Sequence, residues 1–379
     1  MKERVVSSDS HVMEPADLWT ARLDNRLKDQ SPKVVENEGR PGYSFVAPGV
    51  FPFPVAAVGA IGKSGDELKE HLTKGYEAAR PSGWDPVERL KDQDIDGVAA
   101  EVLYTSLGMP LFSLPDTELQ RACFRVYNDW LAEFSSYSPK RLYPIALISL
   151  DDVADGVREM ERCIKQGHRG VQVCGVAPPE RPYFSTEYDP FWTAAQEMQI
   201  PISLHLGTGR KSMQGQAAPG RGMRLTGRDF MINTTLAPVH EIQRSLCALI
   251  FGGVLERFPR LRIVSAENDS GWFPHMLYRL DHFYEKFGTM SDDMNLSLKP
   301  SDYVRRNVWV TFQDDMVGPM TWKILGEDNY MWASDFPHSD STWPNSLKVI
   351  ERSFEGVPEQ VKRKIVYGNA AGLYRMELD

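Results

Sequence analysis

Cysteine is scarce in this chain: Cys123, Cys163, Cys174 and Cys247 are its four cysteines and show no CxxC or other paired spacing. That excludes a zinc finger and a disulfide framework and fits a reducing cytoplasm. Long hydrophobic runs are also missing. No stretch approaches the ~18 uncharged apolar residues of a membrane span, and the opening MKERVVSSDSHVMEP has no apolar core of signal-peptide length, so a cytoplasmic location away from membranes is expected. Nor is there an excess of basic charge. With 43 Lys and Arg against 52 Asp and Glu, the formal net charge of −9 works against a nucleic-acid partner. No GxGxxG follows a strand-like run, which excludes a nicotinamide or flavin site of that kind.

What remains is the composition of an ordinary globular protein, with 42% apolar and 25% charged residues in 379. Short β-branched runs recur at 4–8, 97–103, 142–149, 170–174, 201–206, 262–266, 308–312 and 330–334. Amphipathic stretches separate them, such as Leu119, Ala122, Cys123, Val126, Trp130 and Phe134, or Val153, Val157, Met160 and Ile164. The runs are nearly continuous in apolar residues, as in strands covered on both faces. Eight such βα units, with no fixed repeat and no linker-like composition, predict a (β/α)8 TIM barrel forming one domain over residues 1–379; a doubly wound open sheet is the alternative. Two segments exceed the needs of barrel connections: about 25–83, dense in Gly, Pro and Phe, and about 207–237, rich in Gly and Arg. Both are expected on the C-terminal face. A third segment, 281–307, reads as a longer helix and connector before strand seven.

Potential metal ligands sit at the ends of these runs. Strand one ends in Asp9-Ser10-His11 followed by Glu14, strand five carries His205, strand six ends at Glu267, and strand eight ends at Asp335 with His338 three residues on. Alternate strand positions share a side, so Asp9 and His11 can ligate one ion that Asp335 reaches after closure. Each residue alone is as compatible with packing or capping; their placement together on one rim is what points to a bound metal.

At these residues the chain resembles the amidohydrolase superfamily, in its branch that includes aminocarboxymuconate semialdehyde decarboxylase. DSHVMEP-ADLW, GGVLERFPRLRIVSAENDSGWFP, ASDFPH and YGNAAGLYRM carry the resemblance. It implies a barrel with metal ligands at Asp9, His11, His205 and Asp335. Two departures stand out: Asp9 where the decarboxylases usually have His, and Glu267 where they carry a catalytic His. His240 and His338 appear in contexts where they usually have none, and no strand-end lysine suits a carbamylated bridge.

The possible ligands Asp9, His11, Glu14, His205, His240, Glu267, Asp335 and His338 outnumber the three or four that one catalytic ion needs. Four carboxylates contribute about −4, which would balance two divalent ions. Against this, Glu14 can cap a helix, His240 and Glu241 can be first-turn helix residues, and His338 can orient Asp335. DSHVMEP, His205, PVHE, Glu267 and DFPHSDSTWP together resemble the subgroup that includes the diiron monooxygenase of platensimycin and platencin biosynthesis. That resemblance implies two iron ions and O2-dependent hydroxylation of an unactivated carbon on a bulky apolar, terpenoid-like acid or thioester in natural-product biosynthesis. A separate reductase and ferredoxin would supply electrons, and the protein is expected as a homodimer. Glu267 and His338 are the candidate catalytic residues. The alternative is a mononuclear metal-dependent hydrolase or decarboxylase using Mn or a single Zn. Phe45, Phe51, Phe53, Val55 and Trp343 are candidates to wall an apolar pocket, and Arg210, Lys211, Arg221, Arg224 and Arg228 to hold an anionic group; a packed loop and a solvent-facing charged loop are the plainer readings.

Overall fold

A computed structural model of the chain describes residues 4–208, 227–290 and 296–378, with the backbone alone over 227–238. All eight expected strands are present: β1 (Val5–His11), β2 (Val98–Tyr104), β3 (Leu142–Leu147), β4 (Gly170–Val173), β5 (Pro201–His205), β6 (Arg262–Ala266), β7 (Val308–Phe312) and β8 (Tyr330–Trp332). They form one parallel sheet in sequential order, each strand hydrogen-bonded to the next. The sheet curls into a TIM barrel. Sequential parallel order with a helix in most crossovers is the closed-barrel solution, whereas an open doubly wound sheet would reverse its strand order part-way.

Closure between β8 and β1 explains why β1 reads VVSSDSH. Its valines are apolar strand residues, but its serines stitch a seam. Ser7 Oγ accepts from Ser334 N at 2.8 Å, Ser8 Oγ donates to the Trp332 carbonyl at 2.8 Å, and Ser10 Oγ lies 3.0 Å from Ser334 Oγ. Asp335 N donates to the Asp9 carbonyl at 3.0 Å and His11 N to the Phe336 carbonyl at 2.5 Å. The polar half of β1 is fully buried, so these bonds satisfy groups that water cannot reach.

Local chemistry sets the helices around the barrel. Asp85, Asp116 and Asp152 accept N–H bonds at the starts of Pro86–Asp96, Thr117–Ser136 and Val153–Lys165, and Gly97 ends the first of these in the left-handed region at φ 78°. The expected apolar stripe of Thr117–Ser136 is the buried one, with Leu119, Cys123, Trp130 and Phe134 facing inward. Between β1 and β2 the Gly- and Pro-rich segment is more regular than its composition suggests. It carries an antiparallel sheet of Lys33–Glu36, Tyr43–Val46 and Phe53–Pro54, and Phe45 packs on Trp19 at 5.1 Å between ring centroids.

Arg89 ties the C-terminal end of β1 to the helix before β2. It is wholly buried, its Nε donates to Glu101 Oε2 at 2.6 Å, and its Nη1 donates to the His11 carbonyl at 2.7 Å. Gln93 Nε2 gives Glu101 a second donor at 2.6 Å. Removing one partner of a buried pair leaves the other charge uncompensated. Arg89→Ala is therefore expected to lower stability by about 3–5 kcal/mol, and replacing Arg89 and Glu101 together by Met by less. Urea unfolding followed by circular dichroism measures both; a loss below about 1 kcal/mol in the single variant would contradict this role.

Candidate metal centre

The C-terminal ends of β1, β5, β6 and β8 bring Asp9, His11, His205, Glu267 and Asp335 to one point. His11 Nε2 lies 3.5 Å from Asp9 Oδ1, 3.3 Å from Glu267 Oε2 and 3.5 Å from Asp335 Oδ1. His205 Nε2 lies 3.5 Å from Asp9 Oδ1 and 3.4 Å from Glu267 Oε2. Asp9, His11, His205 and Asp335 are buried. Asp9 Oδ1, His11 Nε2, His205 Nε2 and Asp335 Oδ2 have no hydrogen-bond partner among the described residues. Four orphaned donor atoms, two nitrogens and two oxygens, would each cost free energy if left bare. The ligand atoms of Asp9, His11 and His205 lie within 4.8 Å of one another, as do those of His11, Glu267, Asp335 and His338, so a divalent cation of intermediate hardness would find donors in either group.

Both imidazoles are fixed in the tautomer that metal binding needs. His11 Nδ1 donates to the Thr105 carbonyl at 2.7 Å and His205 Nδ1 to the Leu206 carbonyl at 3.0 Å. A carbonyl only accepts, so Nδ1 carries a proton in both rings and Nε2 faces the cluster; its lone pair is free in neutral His11 and becomes free in His205 once that ring gives up its second proton. His338 lies in the cluster, with its ligand atom within 4.8 Å of those of His11, Glu267 and Asp335; its Nδ1 donates to Asp335 Oδ1 at 3.1 Å and its Nε2 meets Ser106 Oγ at 3.0 Å. Its ring lies 4.2 Å from that of His11.

Without a cation the electrostatics are unfavourable. Burial raises the Glu267 carboxyl, reinforced by the Asp335 carboxylate, to about 8. Burial, with Asp9 and Asp340, raises Asp335 well above the carboxylate range. For His205 burial opposes the charged form, but the Asp9 and Glu267 carboxylates outweigh it and push its pKa up to about 9. His11 goes the other way, held neutral by burial and by the neighbouring histidines. Glu267 and Asp335 also occupy left-handed backbone, at φ 53° and 56°. Non-glycine residues there cost on the order of 1 kcal/mol each and gather at functional sites.

Two expected ligands do not join the cluster. Glu14 is buried, but its carboxylate accepts from Leu107 N at 2.8 Å, Gly108 N at 3.2 Å, Ser106 N at 3.3 Å and the Thr105 hydroxyl. It caps the turn after β2. His240 is exposed and lies in the interior of the helix Gly227–Phe251, so the expectation of a helix starting there is corrected. Its neighbour Glu241 instead lines a small cleft with His205 and Asn268.

Phe45 and Val55 are buried in the core around Thr117–Ser136, and Phe53 packs against it. Trp343 lies under the Arg80 guanidinium, meets Phe336 edge to face and donates to the Asp92 carbonyl. These serve as packing groups. Arg210, Lys211, Arg221 and Arg224, and the side chain of Arg228, lie outside the described residues. Sequence reading missed Thr105, Ser106 and Thr311, which bond to the cluster or to its neighbours. The signal for Thr311 was a lone hydroxyl in the apolar run VWVTF.

Comparison with known proteins gives the chain relatives in sequence and in fold. The family model described as amidohydrolase matches residues 66–376. A gamma-resorcylate decarboxylase of Polaromonas sp. (strain JS666 / ATCC BAA-500) is 24% identical over 303 residues, covering 76% of this chain and 86% of the relative. Among solved structures, an amidohydrolase from Mycobacterium avium subsp. paratuberculosis K-10 superposes with a TM-score of 0.79 at 23% identity, covering 99% of this chain and 98% of that one. A dihydroxybenzoic acid decarboxylase from Polaromonas sp. JS666, with bound manganese and 2-nitroresorcinol, gives 0.67 at 18% identity, covering 98% and 97%. The structural likenesses show the shared barrel. The curated relatives overturn the expectation of a diiron monooxygenase, because they are decarboxylases. The expected two irons, O2 and electron donor belong to that reading and are not carried forward.

The charge balance of the cluster sets a pH dependence for metal uptake. At pH 7 the metal-free centre holds protons on Glu267 and His205, which leave as the pH rises through about 8 and about 9, and an incoming cation must displace the one on His205 Nε2. Affinity for Mn2+ is expected to rise across that window, flatten above it, and be accompanied by proton release. Isothermal titration in buffers of different ionisation enthalpy measures both; affinity independent of pH from 7 to 9 would contradict the assignment.

Proposed function

The chain belongs to the amidohydrolase family, and from the arrangement of its centre we propose that it is a metal-dependent decarboxylase using one divalent ion, Mn2+ or Zn2+. The observation that carries this reading is the convergence of Asp9, Glu267 and Asp335 around His11 Nε2, with His205 Nε2 facing the same Asp9 and Glu267 oxygens and the facing atoms of Asp9, His11 and His205 otherwise unsatisfied. The curated relatives support the reaction class, and hydroxylated aromatic or conjugated carboxylic acids are the substrate class their names suggest.

The reaction exchanges a C–COO− bond for a C–H bond: CO2 leaves and the carbon gains one proton. A bound divalent ion supplies positive charge that orients the substrate's oxygens and stabilises electron density as the bond breaks. Asp9, His11, His205 and Asp335 would hold that ion. Glu267 is assigned as the proton carrier because its carboxyl reaches the same point as the ligands; in the metal-free centre burial and the Asp335 carboxylate raise its pKa to about 8. In this role it takes the place of the histidine that the decarboxylases usually have. His338 aligns Asp335 through its 3.1 Å bond and is anchored by Ser106.

Anaerobic, Mn2+-loaded protein offered ortho-hydroxybenzoates and conjugated carboxylic acids is expected to release CO2 and to place solvent deuterium at the vacated carbon in D2O. Turnover that needs O2, or cleavage of amide or ester substrates without CO2 release, would overturn the reading. Glu267→Gln is expected to lower kcat by about 10²–10⁴-fold. The same variant should raise the melting temperature of the metal-free protein at pH 7–9, because a carboxyl whose folded pKa is raised loses stability as pH rises above its unfolded value. A lower melting temperature by calorimetry would contradict that assignment.

A further inference from the structure

Thr311, the fourth residue of β7, is fully buried between two members of the cluster. Its Oγ1 donates to Asp9 Oδ2 at 2.9 Å and accepts from the backbone N–H of Glu267, also at 2.9 Å. A hydroxyl has one proton to give, and here it goes to Asp9, so its lone pair is what Glu267 N meets. One side chain thus joins β1 to β6 across β7 and holds two different things at once. It fixes the rotation of the Asp9 carboxylate so that Oδ1, the orphaned oxygen, faces His11 and His205. It also satisfies the amide of a residue whose backbone stands at φ 53°, a conformation that persists only where surrounding bonds define it.

We infer that Thr311 is a positioning residue that sets both the metal-binding orientation of Asp9 and the reach of Glu267. The inference rests on the metal-centre reading above but concerns a residue outside the ligand set. Valine is nearly isosteric with threonine and lacks both hydrogen-bond functions; serine keeps both and loses only a methyl group. Freed from its donor, Asp9 loses its fixed orientation, and the Glu267 amide loses its acceptor. Groups that orient ligands commonly change metal affinity by about 10- to 100-fold when removed.

The test compares wild type, Thr311→Val and Thr311→Ser as metal-free protein titrated with Mn2+ by calorimetry, with the melting temperature recorded in parallel. Thr311→Val is expected to bind Mn2+ about 10- to 100-fold more weakly, and Thr311→Ser to recover affinity to within a few-fold of wild type. In turnover, kcat of Thr311→Val should fall more than KM rises, because the proton carrier is displaced while substrate contacts remain. Wild-type Mn2+ affinity in Thr311→Val, even with a lowered melting temperature, would overturn the inference and leave Thr311 a packing residue. So would a serine variant as weak as the valine one. Wild-type protein that takes up no Mn2+ would instead defeat the metal-centre reading itself, and the role of Thr311 with it.

Discussion

Three carboxylates are packed around one point at the C-terminal mouth of the barrel, and their mutual repulsion is the constraint on which the rest of the site depends. Asp9, Glu267 and Asp335 all lie within 3.5 Å of His11 Nε2. In a partly desolvated pocket that much negative charge is relieved either by protons or by a cation. The metal-free protein takes the first course, with protons favoured on Glu267, Asp335 and His205. A divalent ion provides the second, and the two carbonyl-anchored imidazoles are already turned to receive it.

Much of the surrounding structure serves to keep these groups in place. The serine seam aligns β1 with β8, so that Asp9 and His11 face Asp335. Arg89 holds the His11 carbonyl from outside the barrel, and the Thr105 carbonyl holds the ring. Left-handed backbone at Glu267 and Asp335 aims two carboxyls across the mouth. A barrel core that is independent of its rim loops can sustain such local strain, as the fold class generally does.

The barrel was legible because its strands are short apolar runs with polar residues at one end, a pattern that local sequence carries in full. The meeting of Asp9, His11, His205, Glu267 and Asp335 at one point was legible because they sit at strand ends, where the period of two fixes direction. Legibility failed where direction depends on something distant. Glu14 follows β1 closely, but the N–H groups of residues 106–108 claim its carboxylate, and nothing near position 14 encodes them. His240 was expected at a helix start; the helix begins at Gly227, and a one-residue step of about 100° separates exposed His240 from Glu241, which lines the cleft. Counting both as ligands produced a surplus that favoured two ions. With them set apart, Asp9, His11, His205, Glu267, Asp335 and His338 remain, and the proposed division gives four of them to one ion, the proton to Glu267 and the alignment of Asp335 to His338.

That division of labour, four ligands and a separate acid, is the centre of the account. Metal content per chain after Mn2+ loading and desalting, compared between wild type and Glu267→Gln by elemental analysis, tests it most directly. The account predicts one ion per chain in both proteins. Two ions in the wild type falling to one in the variant, or loss of the single ion on substitution, would make Glu267 a ligand and contradict it.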